Sequence, residues 1–219
     1  MRREVTIGTT VLGRPIEATV CMPPPYARKR PPAVIFGAIH GDEPASAVQA
    51  QRLLEELVDR PPGRETWIIP VVNVDGLIGG SKNNARDVDL NRNFASSNWV
   101  ATHAAGYNPG ERAESEPETT ALVETIARIG AERLIALHAT FRVMNWDGRG
   151  RELAEEMGRL SGYPANGDIG YPTPGSFGSK YGNDRGLEVV TVEVPYLEPD
   201  ERAWTDTRAA LRWAVDLPT

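Results

Sequence analysis

His40-Gly-Asp-Glu43 follows directly on the apolar run Ala33-Val-Ile-Phe-Gly-Ala-Ile39. A histidine and a carboxylate three residues apart can turn toward one point, and imidazole with carboxylate is half of a zinc site. The chain has only three histidines. His138 closes a second strand-like run, Arg133-Leu-Ile-Ala-Leu-His138, and a lone carboxylate, Glu193, ends a third, Val189-Val-Thr-Val-Glu193. Two histidines and a glutamate around a metal, with a further glutamate free to act as base, is the donor set of a metal-dependent hydrolase. We therefore assign His40, Glu43 and His138 as zinc ligands, and Glu193 as the base that takes a proton from attacking water and passes it to a leaving amine. The third histidine, His103, sits in a polar loop and matches no ligand position.

A second dense cluster is Asn83-Asn-Ala-Arg-Asp-Val-Asp-Leu-Asn-Arg-Asn-Phe94. Asn91-Arg92 sets an amide donor beside a guanidinium fork, a pairing suited to gripping a carboxylate. Asp89 is placed to accept from the free ring nitrogen of a ligating histidine and so fix its tautomer.

The elements that must position these groups follow from hydrophobic pattern. Two short alternating runs, Glu4–Ile7 and Ile16–Cys21, are split by Gly13-Arg-Pro15 and predict an edge hairpin. Stacked prolines from Pro23 to Pro32 predict a loop. Ala33–Ile39 predicts a buried strand, Pro44 to about Asp59 a helix with Ala47, Ala50, Leu54, Leu57 and Val58 inward, and Thr66–Val72 another strand. Ser115-Glu-Pro-Glu118 predicts a capping box opening a helix with Leu122, Val123, Ile126 and Ile129 inward, stopped by Gly130. Arg133–His138 then predicts a strand, and Leu153, Met157 and Leu160 mark a helix ended by Gly162. Val189–Val194 predicts a strand and Asp200 to Val215 a last helix. Strands alternating with helices imply an α/β fold, a mainly parallel mixed sheet with helices on both faces, forming one domain over residues 1–219. Such folds bind ligands beyond the carboxyl ends of strands, where His40, His138 and Glu193 all fall. The polar stretches 73–114 and 163–187 predict long functional loops.

Bulk composition excludes some partners. Net charge is −6, and the one Lys/Arg block is Arg28-Lys-Arg30, which argues against nucleic acid or an anionic membrane. A lone cysteine, Cys21, excludes an internal disulfide and suits a reducing compartment. Met1-Arg-Arg-Glu-Val-Thr enters alternation without an apolar leader, and no run approaches the ~20 apolar residues of a membrane span, so a cytoplasmic location is expected.

Taken together, HGDE, VDLNRNF (Val88–Phe94), SEPET (Ser115–Thr119), the strand-end His138 and the Glu193 strand resemble the zinc carboxypeptidase A-like superfamily over about residues 33–195. Asn98-Trp99 and Gly170-Tyr-Pro-Thr-Pro-Gly-Ser-Phe-Gly-Ser179 narrow the likeness to its cytoplasmic members that cut γ-D-glutamyl–meso-diaminopimelate bonds in murein peptides during cell-wall recycling. The resemblance implies an α/β/α sandwich with one zinc per chain on His40, Glu43 and His138. It implies that Asp89 orients His40, that Asn91 and Arg92 bind the free α-carboxylate of the diaminopimelate side, and that Glu193 is the base. It also implies a substrate-covering role for Tyr171, with Tyr163 and Tyr181 in the same region, and a substrate-binding place for Ser176. One departure stands out. Nine residues ahead of Asn91, where related chains carry an arginine that stabilises the oxyanion, this chain has Lys82, with Arg86 nearby. A lysine is a point donor without the planar fork. Asp87 also stands where this turn commonly has glycine, implying a locally different backbone.

The expected partner is a small peptide, a murein tripeptide or a relative, with a homodimer left open. Three other readings compete: a deacylase resembling succinylglutamate desuccinylase or aspartoacylase, an ordinary metallocarboxypeptidase, and a zinc-containing peptide-binding module without turnover. Only Lys82 favours the last, whereas an intact Glu193 opposes it.

Overall fold

The structure, a computed structural model, describes residues 2–102, 104–195 and 200–217, so His103 lies outside the described residues. The expected hairpin is present as β1 (Arg2–Thr9) and β2 (Pro15–Cys21). Strands β3 (Ala33–Phe36), β4 (Thr66–Ile69), β5 (Arg133–Ala139), β6 (Val143–Gly148), β7 (Ala165–Asn166) and β8 (Glu188–Val194) complete one sheet in the order β1-β2-β4-β3-β5-β8-β6-β7. β3 pairs in parallel with β4 and β5, and β5 with β8, while β2 and β6 run antiparallel to β4 and β8. Every residue of β3 and β4 is buried, as strands covered on both sides must be.

Helices cover both faces, as the alternation predicts. On one face α1 (Pro44–Asp59), α4 (Arg151–Ser161) and α5 (Asp200–Ala214) set Leu53, Leu57, Ala154, Met157 and Leu211 against Ile35, Ile135, Val190 and Val192. On the other, α3 (Pro117–Ile129) contributes Leu122 and Ile126, joined by Leu90, Phe94, Phe177 and Tyr181, over Phe36, Leu134, Ala136 and Val189. Side chains alternate along a strand, so His138 and Glu193 emerge on this second face. Among the described residues, no helix is long and apolar enough to cross a membrane.

Several local expectations need correction. β3 ends at Phe36: Gly37 N–H still donates to Ile69 O, and Ala38 then turns into the left-handed region at φ 44. β4 ends at Ile69, where Pro70 has no N–H to give. The inward face of α1 is Ala45, Ser46, Gln49, Ala50, Leu53, Leu54 and Leu57, which leaves Val58 exposed. No capping box forms on α3. Glu116 holds the N-cap position, and the Ser115 hydroxyl is engaged by Asn93 and Glu116 instead. The stretch 73–114 contains α2 (Val74–Gly79), opened by the Asn73 side chain accepting from Gly76 N–H, and a single turn at Leu90–Arg92. The second long stretch contains a π-helical turn at Ser179–Asp184.

Candidate metal centre and cleft

The turn after β3 is built to deliver two side chains to one point. The Ser46 hydroxyl accepts from Ala38 N–H at 2.8 Å and donates to Glu43 O at 2.6 Å, clamping the turn onto the first turn of α1. Gly41 passes so close to α2 that a Cβ there would lie 2.1 Å from Gly76 backbone, so this position of HGDE admits only glycine. Glu43 is the N-cap residue of α1, yet its side chain makes no cap bond. Its carboxylate turns away and lies between two imidazoles, 2.8 Å from His40 Nδ1 and 3.0 Å from His138 Nδ1. Ala139 N–H donates to it at 3.0 Å and fixes its orientation. One ligand atom from each of His40, Glu43 and His138 lies within 4.8 Å of the others.

Asp89 organises the other side. Its Oδ1 sits 3.1 Å from His40 Nε2 and accepts from Asn91 N–H at 2.9 Å, while Oδ2 accepts from Lys82 Nζ at 2.6 Å. One buried carboxylate thereby sets the His40 ring, the Lys82 ammonium and the turn that carries Asn91 and Arg92. The two asparagines flanking Arg92 do different work. Asn91 Oδ1 accepts from Phe177 N–H at 2.9 Å, which leaves its amide donors for the cleft. Asn93 bonds Pro109 O, Arg112 O and the Ser115 hydroxyl and holds the preceding loop in place. The sequence reading missed this structural role of Asn93.

Electrostatics fit this donor set to a cation. Burial lowers the pKa of the His40 ring, but hydrogen bonds with Asp89 and Glu43 outweigh it and hold the ring at about 9. Burial likewise pushes Glu43 up, yet the two histidines hold it well below the ordinary carboxylate range. Asp89 behaves in the same way, opposed by His40, Lys82 and Arg92. The geometry thus calls for positive charge between the two Nδ1 atoms, which a divalent cation supplies in place of protons. Two imidazole nitrogens and a carboxylate oxygen fit zinc, and three protein ligands leave a coordination position open.

Glu193 stands at the end of β8, directly opposite His138 in the parallel register. Burial raises its carboxyl above the ordinary value, with His138 pulling partly back, and Phe141 N–H bonds it. These groups line a cleft of about 310 Å³ together with Lys82, Asn91, Arg92, Tyr171 and Ser176. Tyr171 is 44% exposed at the mouth, whereas Tyr163 and Tyr181 are 2% and 0% exposed and turn into the cores, so of the three only Tyr171 reaches the cleft. Ser176 bonds Ser179 at 3.0 Å within its own loop.

Lys82 and Arg86 part company. Lys82 faces the cleft, bonded to Asp89 and to Gly106 O at 3.2 Å, with its ammonium 3.9 Å from the centre of the Tyr107 ring. Arg86 has a side chain 56% exposed, lies 3.6 Å from Glu116 and is not brought to the cluster. Asp87 adopts φ 58, in the left-handed region, and Asn83 bonds its carboxylate at 2.9 Å. Asp tolerates that region better than most residues. Thr140, Phe141, Asn145, Asp147 and Thr191 also line the cleft. The alternating run Val-Met-Asn-Trp-Asp in β6 was the available signal for Asp147.

Comparison with known proteins places this geometry. Residues 1–154 match the family model for zinc carboxypeptidase. The chain is similar to murein peptide amidase A of Escherichia coli, 34% identical over 206 residues, covering 89% of this chain and 82% of that one. The same enzyme of Vibrio campbellii is 29% identical over 206 residues, covering 88% and 79%. The crystal structure of murein-tripeptide amidase from Escherichia coli has a TM-score of 0.81 at 30% identity, covering 99% of this chain and 93% of that one. Bovine thrombin-activatable fibrinolysis inhibitor also reaches 0.81, at 20% identity and covering 99% and 88%, a likeness of fold alone.

Proposed function

The chain belongs to the zinc carboxypeptidase family, and from that premise we propose that it is a zinc-dependent amidase cutting the γ-D-glutamyl–meso-diaminopimelate bond of murein peptides. The observation that carries this reading is the convergence of His40, Glu43, His138 and Glu193 with Asn91 and Arg92 on one cleft. Likeness to the murein peptide amidases supports the substrate. The unpaired Cys21 and the net charge of −6 fit a cytoplasmic enzyme acting on small peptides.

His40, Glu43 and His138 would hold one zinc, which would supply Lewis acidity and make water at the site a stronger acid. Asp89 keeps His40 in the tautomer that presents Nδ1. Asn91 and Arg92 grip the free α-carboxylate of the diaminopimelate residue and set the scissile amide beside Glu193. Glu193 accepts the proton of the attacking water and delivers it to the departing amine. Tyr171 closes over the bound peptide from the mouth.

Mass spectrometry of L-Ala-γ-D-Glu-meso-diaminopimelate incubated with zinc-loaded protein tests the reading, with free diaminopimelate as the expected product. An intact tripeptide alongside hydrolysis of N-succinyl-glutamate or N-acetyl-aspartate would replace it with the deacylase, and tripeptide affinity without product with the binding module. Of the two candidate cations, we assign the oxyanion to Lys82, the one that faces the cleft. Lys82→Ala is expected to lower kcat about a hundredfold, and Arg86→Ala to leave kcat/KM within about twofold. Steady-state kinetics showing the reverse order would move the role to Arg86.

A further inference from the structure

Of the three lysines in the chain only Lys180 is buried, and the mechanism above leaves it unused. It sits in the π-helical turn Ser179–Asp184, with its side chain 4% exposed, and its ammonium donates to Glu114 Oε1. Turns of this kind are rare and concentrate at functional sites. Glu114 is itself held in an unusual conformation. Its backbone takes φ 57, which costs a residue with a side chain energy, while its N–H donates to Asn93 O at 2.6 Å. The oxygen that receives Lys180 also accepts from Ala95 N–H at 3.2 Å. One carboxylate therefore joins the chain just after Arg92 to the loop that carries Ser176 and Phe177.

These two segments meet along their length. Gly175 lies so close to Arg92 that a Cβ there would fall 2.2 Å from Arg92 O. Phe94 N–H donates to Gly175 O at 2.9 Å, and Gly175 N–H to Asn98 Oδ1 at 3.1 Å. Asn98 in turn donates to the Ser179 hydroxyl at 3.0 Å, and Ser97 donates to Asp184 through both its N–H and its hydroxyl. At the cleft the tie is Phe177 N–H on Asn91 Oδ1. Among these contacts only Lys180 with Glu114 joins opposite charges. Pulling such a pair apart strands both charges, so slipped arrangements of the two loops are penalised.

We propose that Lys180 is a positioning residue: paired with Glu114, it fixes the two loops against each other and so holds Asn91 and Arg92 where they grip the α-carboxylate of the peptide. This rests on the reading of Asn91 and Arg92 as that grip. Glu43, His138 and Glu193 are carried by the start of α1, by β5 and by β8, so zinc content is expected to be independent of the pair.

The test compares binding of two peptides to zinc-loaded Glu193→Gln protein, which holds them without cutting. One is L-Ala-γ-D-Glu-meso-diaminopimelate, and the other is the same tripeptide with the gripped α-carboxylate converted to a carboxamide. Calorimetry is expected to give the acid about 10- to 100-fold the affinity of the carboxamide. Adding Lys180→Met removes the ammonium and keeps most of the stem, while Glu114, with its side chain 26% exposed, retains water and Ala95 N–H. This variant should shrink the gap to within about threefold through the acid alone, with carboxamide affinity and zinc content unchanged. Lys180→Met combined with Glu114→Gln strands no charge and keeps an acceptor for Ala95, which covers the case of a single variant that fails to fold, and it should show the same loss. A gap that survives both variants, or equal losses for acid and carboxamide, would overturn the proposal and leave the grip in place. Equal affinities for the two peptides before either substitution, or no binding of either, would take the grip from Asn91 and Arg92 and the proposal with it. A gap that behaves as expected in a protein whose unsubstituted form leaves the tripeptide uncut would refute the amidase and keep the role of Lys180.

Discussion

Glu193→Gln is expected to lower kcat by about a thousandfold while the protein keeps its zinc and much of its substrate affinity. The substitution removes the proton acceptor and almost nothing else. Glutamine has the same shape, and its carbonyl can still accept the Phe141 N–H that steadies the native carboxylate. The carboxyl it replaces is raised by burial, which brings a proton acceptor closer to the pH at which it works. Elemental analysis should find metal content unchanged, and single-turnover kinetics should place the loss in the chemical step. A glutamine variant that turns over at the native rate would remove Glu193 from the mechanism.

His138→Ala should fail differently, losing metal first and activity as a consequence. The metal centre draws on β5 for this one imidazole, whose Nδ1 lies 3.0 Å from Glu43. Four-ligand zinc sites are worth roughly 10–16 kcal/mol, so one ligand of such a set carries about 3–4 kcal/mol, or about 10²–10³ in affinity. Competition with a chelator measures that loss directly. Added zinc should restore part of the activity of His138→Ala and none of that of Glu193→Gln. Identical responses of the two variants to zinc would mean that one of the roles is misassigned.

The contrast between these groups explains what could be read from sequence. His40, His138 and Glu193 each close a mostly apolar run, and a buried parallel strand shows itself as such a run. Asp147 was hidden because β6 is half polar and short, and its partner residues on β8 lie forty or more positions away. The capping signal at Ser115 failed because Asn93, from a distant loop, took the hydroxyl, a tertiary contact overriding a local preference. At Asp87 a side chain other than glycine enters the left-handed region, with Asn83 as its partner, a pairing made within the turn. The inner face of α1 was misjudged by the phase of a single turn, since Ser46 and Gln49 point inward among aliphatic neighbours that the hydrophobic count favoured. Arg86 looked interchangeable with Lys82 at four residues' distance, and only the path of the turn separates them.

His138 and Glu193 are rungs of the same ladder between β5 and β8. Alternation has a period of two, so a slip of one position would send the acid through the sheet to the side of α1, α4 and α5. On the proposed mechanism, bond-breaking is thereby tied to the buried sheet, while Lys82, Asn91, Arg92 and Tyr171 hang on the long connections. On that mechanism, exchanging the loops alters which peptide is held and leaves the two ladder residues in place.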